Sequence, residues 1–272
     1  MTRPRLRTLL ICHHDAPLHY DGVARWLASW SDLAGVVVLE ERRSLLWRRL
    51  KREARRVGAL RVLDVLAFRA YYKAALAGRD AKWLDRMLAE MQTRYPAVPS
   101  SVAVIRSRSP NTPEVESFVR QNAPDVVLAL CKQIIRPGVF TIPAHGTFVL
   151  HPGICPEYRN AHGCFWALAK RDLSRVGMTL LKIDRGVDTG PIFGYFSYAF
   201  DERAESHIVI QHRVMLENLP AIAERLRAIA DGTVAPISVA GRSSGEWGQP
   251  WLSQYLRWQR AAKRVESAPR HA

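Results

Sequence analysis

Residues 146–191 read GTFVLHPGICPEYRNAHGCFWALAKRDLSRVGMTLLKIDRGVDTGP, and this stretch decides the fold class of the 272-residue chain. Apolar runs at 146–151 and 176–183 have the composition of buried strands, and a helix-like segment at 163–171 separates them. Another strand signal follows at 191–198. Apolar runs that alternate with helical segments predict an α/β fold with a mostly parallel sheet.

The same alternation continues on both sides of this stretch. Upstream strand signals lie at residues 6–12, 35–39, 102–105 and 125–130. A helix is predicted at about 20–30, which gives the chain a β-α-β opening. Thr112 followed by Pro113 predicts the start of a helix that runs to about Asn122. Downstream, one long helix is predicted at about 205–230.

One block interrupts the alternation. Residues 41–95 carry no strand signal, and arginines are crowded into their first part. We expect a helical insertion there, with the arginines on a solvated face. We therefore expect two parts. Residues 1–232 form a catalytic domain that includes this insertion, and residues 233–272 form a basic C-terminal extension. Because tryptophans are spaced along the extension, we expect it to pack its aromatic rings on the domain.

The charge balance indicates an anionic partner. The chain has 40 Lys plus Arg against 25 Asp plus Glu, a formal net charge of +15. The sequence contains neither a G-x-G-x-x-G nor a G-x-x-x-x-G-K motif, which argues against a dinucleotide-dependent dehydrogenase and a P-loop enzyme. The four cysteines are far apart, so we expect reduced, mostly buried thiols in a cytoplasmic protein. The apolar runs are too short or too interrupted by charge for export or for a membrane span.

Two side chains in the quoted stretch are candidates for catalysis. His151 and Asp188 each follow an apolar run, and ligands bind at the carboxyl ends of strands in parallel sheets. A carboxylate can fix the tautomer of an imidazole and support its charged form, so the two can act as a proton-transfer pair. A capping Asp and a hydrogen-bonded core His are the structural alternative. Adjacent residues His13 and His14 cannot share one face of an extended segment, and no metal site is predicted.

Several groups of residues in this region resemble the folate-dependent formyltransferase family in order and spacing. They are HPGICPEYR at 151–159, WAL at 166–168, VGMTL at 176–180 and DRGVDTGP at 184–191, with PDVVL at 124–128 and IRPGVF at 135–140 upstream. The resemblance covers about residues 100–230 well and the opening β-α-β loosely. It implies a formyltransferase-like Rossmann-type domain and a reaction that takes its formyl group from 10-formyltetrahydrofolate.

The resemblance also implies roles for individual residues. His151 and Asp188 match the family's catalytic His and Asp, but Val149 stands where the family's Asn-x-His motif has Asn. Asn160 or His162 is expected to supply the hydrogen bond to the formyl oxygen that this Asn would give. The donor is expected to contact Leu128, Lys132, Ile134, Ile135, Asp184, Gly186, Val187 and Gly190.

The function that the resemblance implies is N-formyl transfer to the amine of a small acceptor. The positive charge favours an acceptor that bears phosphates, such as a nucleotide-linked amino sugar, and we expect no tRNA acceptor because no second C-terminal β-domain is evident. A homodimer is compatible with this interpretation. Three alternatives stay open: a formyltetrahydrofolate hydrolase, a non-catalytic member of the fold, which would explain Val149, and a nucleic-acid-binding protein, which would explain the charge.

Overall fold

A computed structural model describes residues 5–40, 53–55 and 58–266 of the chain. Its strands are β1 (Arg7–His13), β2 (Asp32–Leu39), β3 (Ala103–Ser107), β4 (Val126–Leu130), β5 (Gly146–His151), β6 (Arg159–Asn160), β7 (Met178–Lys182), β8 (Ile192–Phe196) and β9 (Glu246–Trp247). Seven of them form one sheet in the order β3-β2-β1-β4-β5-β7-β8, while β6 pairs with β9. Strands β3, β2, β1, β4 and β5 are parallel to one another. Strand β7 is antiparallel to β5, and β8 is antiparallel to β7. The predicted mostly parallel α/β fold is confirmed.

The helices flank both faces of this sheet. They are α1 (Ala24–Trp30), α2 (Ala59–Tyr71), α3 (Ala77–Arg94), α4 (Pro113–Asn122), α5 (Pro137–Phe140), α6 (Gly163–Lys170), α7 (His207–Glu217), α8 (Leu219–Ala230) and α9 (Leu252–Glu266). A π-helical turn at Leu18–Val23 precedes α1, and another at Tyr72–Leu76 joins α2 to α3. Among the described residues, no helix combines the length and the apolar character that crossing a bilayer requires.

The central strands are apolar on both faces because helices cover both faces of a parallel sheet. All five residues of β4 are buried, which explains its uninterrupted sequence VVLAL. On one face, Leu128 and Phe148 pack with residues of α1 and α8. On the other face, Val127 packs with Val115 and Val119 of α4. This packing fixes the ends of β4 and β5, from which the candidate site is built.

The helix predicted at 112–122 is confirmed, and the long helix predicted at 205–230 is wrong. The Thr112 hydroxyl accepts a hydrogen bond from Val115 N at 3.4 Å, as an N-cap does. The downstream segment instead forms two helices, α7 and α8, which meet at Asn218. Pro220 explains the break, because proline has no N–H to donate and its ring crowds the preceding turn of a continuous helix.

The insertion and the extension form one layer on the domain. The described part of the insertion, from α2 to α3, is helical throughout, as predicted; its arginine-rich residues 41–52 and 56–57 lie outside the described residues. In the extension, the Trp258 side chain is fully buried and Trp247 stacks on Trp166 with 4.9 Å between ring centroids. The expected packing of its aromatic rings is therefore confirmed, and the boundary at residue 232 stays a prediction.

A histidine lies buried where this layer meets the domain. The His207 side chain is 1% exposed, and its ring is 5.6 Å from the ring of Phe68 and 5.3 Å from that of Phe165. Its Nδ1 has no hydrogen-bond partner among the described residues. Burial, and secondarily the charge of His162, lower the pKa of His207 to about 3.

We expect replacement of Gly35 by alanine to destabilise the protein. A Cβ at Gly35 would lie 2.7 Å from Cζ of Phe118, which is packed in the core, so Gly35→Ala should lower the free energy of unfolding by about 1–3 kcal/mol. The matched control is Gly78→Ala in α3, where a Cβ would meet no atom within 4 Å. That variant should be stabilised by about 0.5–1 kcal/mol. Urea unfolding checks both, and equal stability of the two variants would contradict this packing.

We also expect His207 to make stability depend on pH. The pKa of His207 in the folded protein, about 3, lies below the ordinary histidine value of 6.5. At pH values between these two, His207 is protonated in the unfolded chain and neutral in the folded protein. The free energy of unfolding should therefore fall as pH drops from 7 to 5, by about 1–2 kcal/mol from this residue. His207→Phe should remove that part of the loss in urea unfolding, and His14→Gln at the exposed His14 is the control. An unchanged pH dependence in His207→Phe would contradict the assignment.

Candidate active site

The predicted pair of His151 and Asp188 is in contact. Nδ1 of His151 lies 3.3 Å from Oδ2 of Asp188, and both side chains are largely shielded from solvent, at 4% and 15% exposure. His151 ends β5, a parallel strand, as the sequence predicts. Asp188 reaches it by a route that the sequence did not predict. Because β7 is antiparallel to β5, the loop after β7 starts at the opposite end of β5 and must run back along it to bring Asp188 to His151.

Residues 158–160 hold both members of the pair. His151 Nε2 donates to the carbonyl of Tyr158 at 2.7 Å, and the backbone N–H of Asn160 donates to Asp188 Oδ2 at 2.8 Å. The Arg159 guanidinium donates to the carbonyl of Val187 at 2.9 Å, which ties down the residue before Asp188. This short segment thus sets the distance between the imidazole and the carboxylate.

Two glycines allow this segment to come so close. A Cβ at Gly153 would lie 2.7 Å from the Tyr158 carbonyl oxygen and 2.8 Å from Cα of Gly163. A Cβ at Gly163 would meet Cα of Gly153 at 2.6 Å. Because backbone atoms cannot move aside as a flexible side chain can, any larger residue at either position would push Tyr158 away from His151.

Both ring nitrogens of His151 are occupied by this arrangement. Nε2 donates to the Tyr158 carbonyl, and Nδ1 faces the carboxylate of Asp188. A third partner, such as a formyl oxygen, could be reached only by giving up one of these two contacts. A separate donor is therefore needed wherever negative charge develops on the formyl oxygen.

The Asn160 amide already has partners within the protein, so its predicted bond to the formyl oxygen stays a prediction that requires the loss of one of them. Asn160 Nδ2 donates to the carbonyl of Trp247 at 2.8 Å and to Oε1 of Glu246 at 3.2 Å, which uses both amide hydrogens. The residue has a left-handed backbone, with φ of 77°, which asparagine tolerates better than most residues. The side chain serves the pairing of β6 with β9, and only its backbone N–H reaches Asp188.

His162 remains a candidate for the missing donor. It is half-buried at the start of α6, and burial lowers its pKa to about 4, with further lowering by the charges of Lys132, Arg69 and His151. The imidazole is therefore neutral at pH 7 and keeps one N–H to donate. Val149 is half-buried and packs with Cys155, Leu181 and Ile192.

The residues predicted to contact the donor fall into two groups. Lys132 and Ile134 are exposed in the loop after β4, and Asp184, Gly186, Val187 and Gly190 lie in the loop between β7 and β8. In that second loop, Asp184 Oδ1 accepts from Gly186 N at 2.9 Å and from the Thr189 hydroxyl at 2.8 Å.

Leu128 and Ile135 differ from these residues because their side chains are buried, and their contact with the donor stays a prediction. Their side chains are only 1% and 4% exposed. The Leu128 side chain packs in the core with residues of α1 and α8. Ile135 packs with Val139 in the core next to α4.

A group of histidines near Lys132 was not found from the sequence. The rings of His19 and His212 lie 5.4 Å apart, and burial lowers their pKa values to about 3 and about 4. The charge of Lys132 lowers both pKa values as well as that of His162. We call these four residues the histidine group. No sequence signal could pair His19 with His212, because they lie on helical segments far apart in the chain. Within the described ranges, no three His, Cys, Asp or Glu side chains are grouped to hold a metal ion.

Known proteins match more than half of this chain. Residues 72–214 match the family model described as formyl transferase. The methionyl-tRNA formyltransferase of Dehalococcoides mccartyi (strain CBDB1) is 27% identical over 180 residues, which cover 62% of this chain and 54% of that protein. Human mitochondrial 10-formyltetrahydrofolate dehydrogenase is 31% identical over 106 residues, 39% of this chain and 11% of that protein. The chain thus spans about half the length of the methionyl-tRNA formyltransferase it matches.

Solved structures share the fold. A sugar N-formyltransferase from Shewanella sp FDAARGOS_354 superposes with a TM-score of 0.53 at 11% identity, covering 94% of this chain and 87% of that one. A phosphoribosylglycinamide formyltransferase from Anaplasma phagocytophilum gives a TM-score of 0.52 at 13% identity, covering 90% and 100%. The family match spans more than half of the chain and includes both His151 and Asp188. The chain belongs to the formyl transferase family.

Proposed function

We propose that the protein transfers a formyl group from 10-formyltetrahydrofolate to the amine of a small, anionic acceptor. The observation that carries this proposal is the contact between His151 and Asp188 within the segment that matches the family. The donor supplies an activated formyl group. A bond forms between the amine nitrogen and the formyl carbon as the bond from that carbon to the donor nitrogen breaks. The amine loses one proton and the donor nitrogen gains one.

In this proposal the protein moves that proton and balances the charge. The carboxylate of Asp188 takes up the proton, because both ring nitrogens of His151 already face protein groups, and His151 holds that carboxylate in place through Nδ1. The carbonyl of Tyr158 fixes the other side of the ring, so the imidazole cannot turn away from the carboxylate. His162 donates from its neutral imidazole to the formyl oxygen, the role that an Asn at position 149 would have.

The two loops next to this pair are suited to hold the donor. The loop after β4 presents Ile134 with 64% of its surface exposed, an apolar side chain that a flat aromatic ring could cover. The loop between β7 and β8 is held in shape by the contacts of Asp184. We assign the pterin end of the donor to the space between these loops, against Lys132, Ile134, Gly186 and Val187.

The histidine group favours an anionic acceptor. Lys132 provides a positive charge, and the neutral rings of His19 and His212 each provide one N–H donor, while the single N–H of His162 is assigned to the formyl oxygen. A phosphate or diphosphate group would satisfy these donors and offset part of the net charge of +15. A nucleotide-linked amino sugar has both the amine and the phosphates. A tRNA acceptor is the alternative, because methionyl-tRNA formyltransferases are among the similar proteins.

We expect Asp188→Asn to abolish most of the transfer. The amide can still accept from the Asn160 N–H, so the loop should hold its shape, but an amide cannot take up a proton. Turnover should fall by about 10²–10⁴-fold. The assay follows loss of 10-formyltetrahydrofolate with a uridine-diphosphate-linked 4-amino sugar, with methionyl-tRNA and with no amine.

Three results distinguish a formyltransferase from a hydrolase and from a protein that binds no folate. Calorimetric titration with 5-formyltetrahydrofolate should show equal binding to wild type and Asp188→Asn, while NAD and ATP should not bind comparably. Formate release without an amine would indicate a hydrolase instead. Absence of folate binding at millimolar concentration would overturn the proposal.

We expect His162→Gly to lower turnover by about 10²–10³-fold, the usual effect of losing one donor to a developing oxyanion. Glycine keeps the left-handed backbone of His162, whose φ is 56°, so the start of α6 should be preserved. Val149→Asn in the His162→Gly background should restore part of the rate. Full activity of His162→Gly would show that backbone N–H groups hold the formyl oxygen.

A further inference from the structure

The C-terminal extension contacts the outer side of the segment that holds the catalytic pair. Strand β9 pairs in parallel with β6, so that Arg159 lies opposite Glu246 and Asn160 lies opposite Trp247. Arg159 N donates to the carbonyl of Gly245 at 2.9 Å. We call residues 244–248 the strap.

The two residues of β6 connect the strap to the loop that carries Asp188. The Arg159 guanidinium donates through Nε to the Ser244 hydroxyl at 2.9 Å and through Nη1 to the carbonyl of Val187 at 2.9 Å. Asn160 donates from its side chain to the carbonyl of Trp247 and from its backbone to Asp188, both at 2.8 Å. Each residue of β6 is therefore bonded to the strap on one side and to residues 187–188 on the other.

Trp247 extends the same connection to His151. Its indole stacks on Tyr158, with 5.7 Å between centroids and 21° between planes, and the carbonyl of Tyr158 accepts from His151. Its indole N–H donates to the carbonyl of Glu157 at 2.8 Å. On its other face it stacks on Trp166. The strap thus supports the anchors of both catalytic groups.

We propose that the strap positions His151 and Asp188 for catalysis, and that Trp247 is a positioning residue for the reaction proposed above. A strand of two residues has too few contacts to hold its place alone, and β6 acquires its partner only from the extension. A shift of β6 would move Tyr158 O and Asn160 N together, and with them the imidazole and the carboxylate. The strap lies beyond residues 72–214, the segment that matches the family model.

Trp247→Ala tests this inference. Loss of the indole removes both stacking contacts and the bond to Glu157, and a displacement of about 1 Å at the pair should lower kcat by 10-fold to 100-fold. The KM for 10-formyltetrahydrofolate should stay within about twofold, because Arg159 keeps its bonds to Ser244 and to the Val187 carbonyl of the donor loop when the indole is lost. The ¹⁵N resonances of His151 Nδ1 and Nε2, assigned by their loss in His151→Gln, should shift in Trp247→Ala because the Tyr158 anchor has moved.

The matched control is Ser253→Ala, which removes one of the two hydrogen bonds between Ser253 of the extension and Asp64. The Ser253 hydroxyl hydrogen-bonds with Asp64 of α2, away from β6. This variant should keep the wild-type kcat and His151 resonances. An equal loss of kcat in Ser253→Ala would mean that general loosening of the extension, and not the strap, lowers the rate, and would overturn the proposal.

Trp247→Phe covers the case in which Trp247→Ala does not fold. Phenylalanine keeps a stacked ring but has no N–H for Glu157, so a smaller fall in kcat with a smaller shift of the His151 resonances is expected. A folded Trp247 variant with unchanged kcat and unchanged His151 resonances would overturn the role of the strap. If the wild-type protein transfers no formyl group, the proposed function fails, and the His151 resonances alone decide whether the strap sets the geometry of the pair.

Discussion

The hydrogen bond from the backbone N–H of Asn160 to Asp188 is the interaction on which the site depends. A carboxylate that is largely removed from water needs hydrogen bonds to stay charged and in place. Asp188 receives this bond while its backbone is left-handed, with φ of 53°, and its loop must run back along β5 to reach His151. Without Asn160 N–H as an anchor, nothing in the strand pairing would hold the carboxylate beside the imidazole.

The histidines and the arginines near this pair differ in their charge at neutral pH. His19, His162 and His212 lose their charge at neutral pH because of burial and of Lys132, and they become neutral donors. The arginines stay charged because the guanidinium pKa is intrinsically high, and the hydrogen bonds of Arg242 to Glu157 raise its pKa further. Neutral donors beside one ammonium group can bind an anion without the repulsion that a cluster of cations would create.

How far the sequence predicted the site can be followed residue by residue. His151 and its place at the end of β5 follow from an apolar run that ends in a polar residue. The contact between His151 and Asp188 is confirmed. The sequence analysis expects both residues at the carboxyl ends of parallel strands, but Asp188 follows the antiparallel strand β7, whose direction the sequence pattern does not show. Asn160 was recognised as close to the site, yet its amide bonds the extension, a partner more than 80 residues away in the chain.

The sequence by itself determined the order of the seven strands of the main sheet, the buried central strands, the family and the two residues of the candidate catalytic pair. These properties are encoded in short runs, where residue type and spacing act locally. Only the tertiary structure decided which donors remain available, which histidines gather around Lys132 and how the extension supports β6. Each of these depends on contacts between residues far apart in the chain, and such contacts are set by the packing of the whole sheet and its helices, which no local pattern specifies.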